Sequence, residues 1–173
     1  MRMVHGLAAG ALAASALLLG GCGLRPLYTG GAQGKVAQSL SGVTVGPIAG
    51  RAGWLVRNAL NDRLAAAGGG PERYRLEVEL DDVITGFGVR SDNAVTRERR
   101  TLRARYRLVD AAAGSVVVDA TAGSDAGIDV VGSEYATIAA EETALERLSG
   151  EIADQIVVRL ALYAARTAPP ATR

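Results

Sequence analysis

The chain has one thiol, Cys22, and it stands at the end of Leu19-Gly20-Gly21-Cys22, an apolar residue and two small ones placed before a cysteine. That spacing suits a signal peptidase of the lipoprotein type. Small side chains clear the cleavage point, and the cysteine sulfur is the nucleophile that takes up a diacylglyceryl group. Arg2 supplies the positive charge of an n-region and Leu7 to Leu19 an apolar h-region, so residues 1–21 read as an export signal and Cys22 as a lipidation site. A cysteine on an apolar helix is otherwise a buried free thiol, a reading that the charge and the short run in front of Cys22 disfavour. The run is shorter than the roughly 20 residues a spanning helix needs, so the chain is expected to be anchored to a membrane and not threaded through it.

The other reactive groups are arginines. Arg97, Arg99 and Arg100 flank a turn at Ser91-Asp92-Asn93-Ala94 with Arg90 on its other side, and only Glu98 and Asp92 are close by in sequence. A guanidinium is permanently charged and offers a planar fork to phosphate, so these four are the candidate residues for an anionic ligand. Arg103, Arg105 and Arg107 alternate with Leu102, Ala104, Tyr106 and Leu108, which reads as a wet sheet face paired with Glu77 and Glu79. Asp81-Asp82, and Asp125 with Asp129, lack the ligand cluster or loop spacing that a metal needs. Gly68-Gly69-Gly70-Pro71 has no Lys-Ser/Thr after it and follows a helical pattern, so it ends a helix and does not cradle phosphate. The one histidine, His5, lies inside the export signal. Without imidazole or free thiol, the mature chain has no Ser/His or Cys/His triad and few ways to hold a transition metal. Neither catalysis nor a cofactor is expected.

Certain elements must position these groups. Removal of residues 1–21 leaves 152 residues, the size of one domain with one core, and takes away one basic side chain, so that 18 basic face 18 acidic residues. A neutral chain gives no electrostatic case for nucleic acid. Residues 22–41, rich in Gly, Ala, Gln and Ser, read as the lipidated cysteine and a flexible tether, 42–166 as the domain and 167–173 as a disordered tail. Val43 to Ile48 is a short strand closed by Pro47. From Gly53 to Ala67, Val56, Leu60 and Leu64 recur at helical spacing while Arg57, Asn61 and Arg63 point away. Arg73 to Leu80 alternates as a strand, and a phase slip at Asp81-Asp82 predicts a β-bulge before Val83, Thr85, Phe87 and Val89. Val95 to Val109 returns as a second strand, and a third runs from Val116 toward Val131. A helix from Thr137 to Ala165, capped by Ser133 or Thr137, carries Leu145, Leu148, Ile152, Ile156 and Leu160 as its buried stripe. The order β-α-β-β-β-α predicts an α+β two-layer sandwich, a four-stranded and mostly antiparallel sheet with two helices on one face.

The lipobox followed by CGLRPLY, the strand-helix unit, the arginine-bearing hairpin and the final helix, opened by Ser-Glu-Tyr-Ala and closed by Ile-Val-Val-Arg-Leu-Ala, together resemble the LPS-assembly lipoproteins, the LptE family, in their alphaproteobacterial form. The resemblance implies a non-enzymatic lipoprotein on the periplasmic side of the outer membrane. It further implies a plug inside the β-barrel lipopolysaccharide (LPS) translocon, the D component of that system, that helps assemble the barrel and insert LPS. Gly23 is compatible with the outer membrane, since by resemblance to enterobacterial lipoproteins an Asp at that place favours inner-membrane retention. An auxiliary lipoprotein subunit of another envelope lipid transport system would have the same anchor and topology, and stays open as the alternative. Each methylene buried in a bilayer contributes about 0.8 kcal/mol, so two or three acyl chains on Cys22 hold a domain firmly where one would not. Cys22→Ala is expected to abolish both fatty-acid incorporation and cleavage after Gly21, read by radiolabelled palmitate and by the mass of the mature chain.

Overall fold

The computed structural model describes residues 35–66, 68, 70–89 and 95–167. Cys22, Arg90, the turn at 91–94 and the tail beyond Thr167 lie outside the described residues. The elements run α1 (Lys35–Leu40), β1 (Val43–Val45), α2 (Gly50–Ala65), β2 (Tyr74–Val89), β3 (Val95–Asp110), β4 (Val116–Asp129) and α3 (Glu134–Thr167). The strands form one mixed sheet in the order β1-β2-β3-β4, with β1 parallel to β2 and the other two pairs antiparallel. Helices α2 and α3 pack against each other and cover one face of this sheet, the two-layer α+β arrangement that the element order predicts.

The alternation of β2 and β3 decides which face is covered. Leu76 and Val78 on β2, and Leu102, Ala104, Tyr106 and Leu108 on β3, are all buried, and they meet Val56, Leu60 and Leu64 of α2 and the stripe Leu145, Leu148, Ile152, Ile156 and Leu160 of α3. Each buried Leu, Ile or Val here contributes roughly 1.5–3 kcal/mol by leaving water. At about 1.5 Å per residue the 34 residues of α3 span about 51 Å. The 16-residue strands of the hairpin span about 53 Å at 3.3 Å per residue. One helix thus reaches along the whole hairpin.

Three sequence expectations need correction. The register from Tyr74↔Asp110 to Val89↔Val95 is unbroken, so there is no bulge at Asp81-Asp82; the irregularity lies instead between β3 and β4 at Leu108/Val109. Asp82 keeps its place on the helix-facing side, and Val83 and Phe87 face the open side. The tether read to residue 41 also stops too late: Lys35–Leu40 is helical, and Ala37 and Leu40 are buried where α1 packs on α3. Lastly, Arg63 does not point away from the core. It grips Asp154 of α3 through Nε at 2.6 Å and Nη2 at 3.0 Å, and also donates to the carbonyls of Ala59 and Gly150. The Arg63 hydrogen bond holds the Asp154 carboxyl below the usual range. Helix α3 begins at Glu134, a turn before Thr137, whose hydroxyl donates back to the Ser133 carbonyl.

Gly53 shows how closely α2 is set onto the chain before it. A Cβ built there would lie 2.6 Å from the Ile48 carbonyl oxygen and 2.7 Å from its carbon, both backbone atoms that cannot swing aside. Alanine gains about 1 kcal/mol over glycine in helix propensity, but overpacking against backbone costs about 1–3 kcal/mol. Gly53→Ala is therefore expected to lower the midpoint of urea unfolding without changing its slope. A raised midpoint would show that the 46–49 connection shifts freely.

Candidate functional site

The sheet face that the helices leave uncovered carries a lattice of charge. Arg107 reaches Glu77 at 3.2 Å and Glu79 at 3.6 Å, Arg105 meets Asp119 at 3.0 Å, Arg103 meets Asp125 at 3.4 Å and Arg97 meets Asp129 at 3.3 Å. The register explains the pattern. Glu77↔Arg107 and Arg107↔Asp119 are direct cross-strand partners, so β3 is a basic row between two acidic ones. The expected pairing with Glu77 and Glu79 is present for Arg107, while Arg103 and Arg105 turn to β4. Gly123 makes room for this, because a Cβ there would fall 2.6 Å from Cδ of Arg103. The Arg105 hydrogen bond holds the Asp119 carboxyl below its ordinary range, and the Thr101 hydroxyl, at 2.6 Å, does the same for Asp125. Such exposed pairs contribute about 0–1 kcal/mol each and mainly keep the face neutral and wet.

Toward the hairpin turn the face changes character. Val83, Phe87 and Val95 stay 45%, 39% and 38% exposed. They share the open side with Arg97 and Arg99, and the Arg99 guanidinium lies 5.5 Å from the centre of the Phe87 ring. Apolar surface and guanidinium charge stand side by side here. The arginines are legible in the sequence; Val83 and Phe87, expected there as a bulged continuation of the buried set, face the open side instead, as their odd-numbered phase indicates.

The four candidate arginines do not form one cluster. Arg97 has a side chain 65% exposed on the open face, and Arg99 is exposed beside it. Arg100 projects to the opposite side of the sheet, is 11% exposed, and is held by Asp82 through Nε at 2.9 Å and Nη2 at 2.7 Å. Its Nη1 donates to the Glu141 carbonyl of α3 at 2.9 Å. The Asp82 hydrogen bond raises the Arg100 pKa above its ordinary value. Arg90 lies outside the described residues. Beside Arg100, Glu98 has one oxygen closed off from water. Burial first, and then the neighbouring Glu141 carboxylate, push its pKa up. Both Arg100 and Glu98 stand in the phase that is aliphatic or tyrosine from Leu102 onward, which is the sequence signal that they belong to the helix-facing side. Among the described residues no cluster of His, Cys, Asp and Glu could hold a metal ion.

Fold and site together define a class, the α+β two-layer domains with one helix-covered sheet face and one open, charge-paired face. The family described as LptE, lipopolysaccharide-assembly, matches residues 40–160, and the chain belongs to it. A protein of Caulobacter crescentus CB15, assigned as a lipoprotein, has a similar crystal structure. It is 32% identical with a TM-score of 0.65, covering 79% of this chain and 99% of that one. The rare lipoprotein B of Shewanella oneidensis is similar in fold at 11% identity, with a TM-score of 0.55 over 72% of this chain and 96% of its own. A minor lipoprotein of Acinetobacter baumannii has the same TM-score, 0.55, at 14% identity over 69% and 91%. No curated protein sequence matches the chain.

Arg100 and Glu98, two residues apart on one side of β3, are expected to respond in opposite directions. Arg100→Gln removes the fork that holds the partly exposed Asp82 carboxylate and the Glu141 carbonyl, and should cost about 1–2 kcal/mol. Glu98 has a folded pKa above its unfolded one, so its contribution to stability is complete below the unfolded value and is lost as pH rises through the folded value. Glu98→Gln should therefore stabilise the fold at pH 7 and flatten the fall in stability between acid and neutral pH. Urea titrations of both variants across pH 4–8 check the two signs.

Proposed function

We propose that this chain is a lipid-anchored, non-catalytic partner of the β-barrel LPS translocon, the D component of the LPS transport system. In this reading it is held on the periplasmic side of the outer membrane by acyl chains on Cys22, sits in the barrel as a plug, and aids both assembly of the barrel and insertion of LPS. Membership of a lipopolysaccharide-assembly family supports the pathway. The observation that carries the reading is the open sheet face: paired charges along most of its length, then Arg97 and Arg99 beside Val83, Phe87 and Val95. Barrel lumens are polar, and a face of neutralised ion pairs suits such a wall. Lipid A joins phosphates to acyl chains, and the distal patch offers guanidinium forks next to apolar surface. Of the four arginines, Arg97 and Arg99 are proposed as the phosphate contacts: the Arg97 pair with Asp129 is exposed to solvent and free to exchange, whereas Arg100 is turned to the other side of the sheet and held there by Asp82 and the Glu141 carbonyl.

Two arms test the proposal. Depletion in cells should lower correctly assembled barrel and surface LPS together; wild-type levels of both, alongside loss of a periplasmic enzymatic activity, would overturn the role. Arg97→Glu with Arg99→Glu in the soluble domain should weaken LPS binding at least about tenfold at low salt, given that hydrogen bonds to charged groups are worth about 1.5–3 kcal/mol. The difference should shrink as salt rises. Equal binding by a folded double variant would remove the patch as the LPS contact.

A further inference from the structure

A cavity of about 430 Å³ opens at the end of the domain opposite the hairpin turn, between α1, the start of β2, the end of β3 and the last turns of α3. Leu40, Leu108, Leu160 and Ala164 form its apolar wall, with Tyr74 and Tyr163 among them. The two tyrosine rings meet edge to face with centroids 6.3 Å apart, and the Arg73 guanidinium stands 5.1 Å from the Tyr74 ring centre. The volume falls within the roughly 300–1,000 Å³ of built ligand sites. Nothing in the proposed barrel function uses this cavity, since the open sheet face and the distal arginines lie elsewhere.

The chain before α1 divides into two unlike halves. Thr29-Gly30-Gly31-Ala32-Gln33-Gly34 has the composition of a spacer. Gly23-Leu24-Arg25-Pro26-Leu27-Tyr28 does not: a tether needs length alone, and two leucines, a proline and a tyrosine left in water gain nothing from the hydrophobic effect. We propose that Leu24–Tyr28 docks into the cavity, with Leu27 and Tyr28 against the wall of Leu40, Leu160, Tyr74 and Tyr163.

The geometry allows it. Helix α1, whose last turn lines the cavity through Gln38, Ser39 and Leu40, rises only about 9 Å over its six residues. The six-residue spacer reaches up to about 20 Å, enough to fold back past α1. A linker this short gives an effective concentration on the order of millimolar, so even a weak intrinsic fit is filled. A proline disfavours helical backbone at the residue before it, which would lower the cost of ordering an Arg-Pro segment on docking. Negative charge is available for Arg25, because Asp110 acts on Tyr163 from close by and the C-terminal carbonyls of α3 end here. With the hairpin about 50 Å long, docking places the Cys22 end of the chain far from Arg97 and Arg99, and so orients the domain relative to its anchor.

The test uses Ser39→Cys, a half-buried cavity position, as a reporter in the mature chain, prepared both as the lipoprotein in detergent micelles and as a lipid-free Cys22→Ala form. Maleimide should label Ser39→Cys slowly in both. Adding Leu27→Asp with Tyr28→Asp should speed labelling about tenfold in both, and by hydrogen exchange the amides of residues 24–28 should be protected relative to 29–34 only when Leu27 and Tyr28 are intact. Thr167→Cys at the cavity rim serves as a second reporter if Ser39→Cys disturbs α1. Labelling unaffected by the Asp pair overturns the proposal. Protection that disappears with the lipid while Leu27 and Tyr28 remain assigns the cavity to an acyl chain, and protection that rises with protein concentration assigns it to a second copy; either outcome overturns it as well.

Discussion

Strand β3 is the constraint on which the rest of the molecule depends. From Arg99 to Leu108 it sets an arginine, or Thr101, against an aliphatic or tyrosine side chain at nearly every step, and a strand sends successive side chains to opposite sides. The sheet containing it must therefore have one dry face and one basic face. The dry face needs a cover as long as the strand, which α3 supplies in one piece. The basic face needs counter-charge, and the neighbours on both sides provide it: Glu77 and Glu79 on β2, and Asp119, Asp125 and Asp129 on β4. Sheet order follows from this, since β3 has to lie between two acidic strands.

The dry side changes at Leu102. Below it the even-numbered residues are aliphatic or tyrosine; above it come Arg100 and Glu98, with Asp82 across the hairpin. An arginine 11% exposed is tolerable because each of its three nitrogens donates, two to Asp82 and one to the α3 backbone. Glu98 has no such counter-charge; burial, and then the neighbouring Glu141 carboxylate, raise its pKa. The beginning of α3 is thus tied to the hairpin by polar contacts, whereas its middle is held by leucine and isoleucine. Polar ties depend on pH and tolerate small shifts that a close-packed core does not.

Much of this was legible in the sequence because it rests on periodicity. The period-2 pattern of β2 and β3 and the 3.6-residue stripe of α3 identified the elements, the buried stripe and the facing of Leu102 to Leu108. The failures have physical reasons. The slip at Asp81-Asp82 suggests a bulge only if every apolar residue seeks the core; Val83 and Phe87 are apolar and face out. Residue type alone places Arg63 in solvent, and helical spacing cannot tell that Asp154 stands opposite it on α3. Helix α1 has six residues, too short for any periodic signal, and is held by packing Ala37 and Leu40 on α3. The four arginines looked like one site because they adjoin one turn, yet adjacent residues on a strand cannot share a face. Arg99 and Arg100 are separated by the thickness of the sheet.

The two edges of the sheet are finished differently, and the difference bears on how the domain meets a partner. Along β4 the Gln155 side chain of α3 acts as a substitute strand, donating from Nε2 to the Gly123 carbonyl at 3.1 Å and accepting from its N–H at 3.2 Å, while Ser124 binds Glu151. That edge is blocked in its middle. Along β2, β1 pairs only with Tyr74, Arg75 and Leu76. An open edge is ordinarily a route to aggregation, limited by charge and by short strands. Here Asp81 and Asp82 place two carboxylates midway along the exposed length, and Gly86 and Gly88 weaken the far part as a pairing template. The edge therefore disfavours strand addition, so a partner gains more by meeting the domain through the open sheet face. On that face most arginines already have carboxylate partners, and covering it leaves few charges to be neutralised from outside.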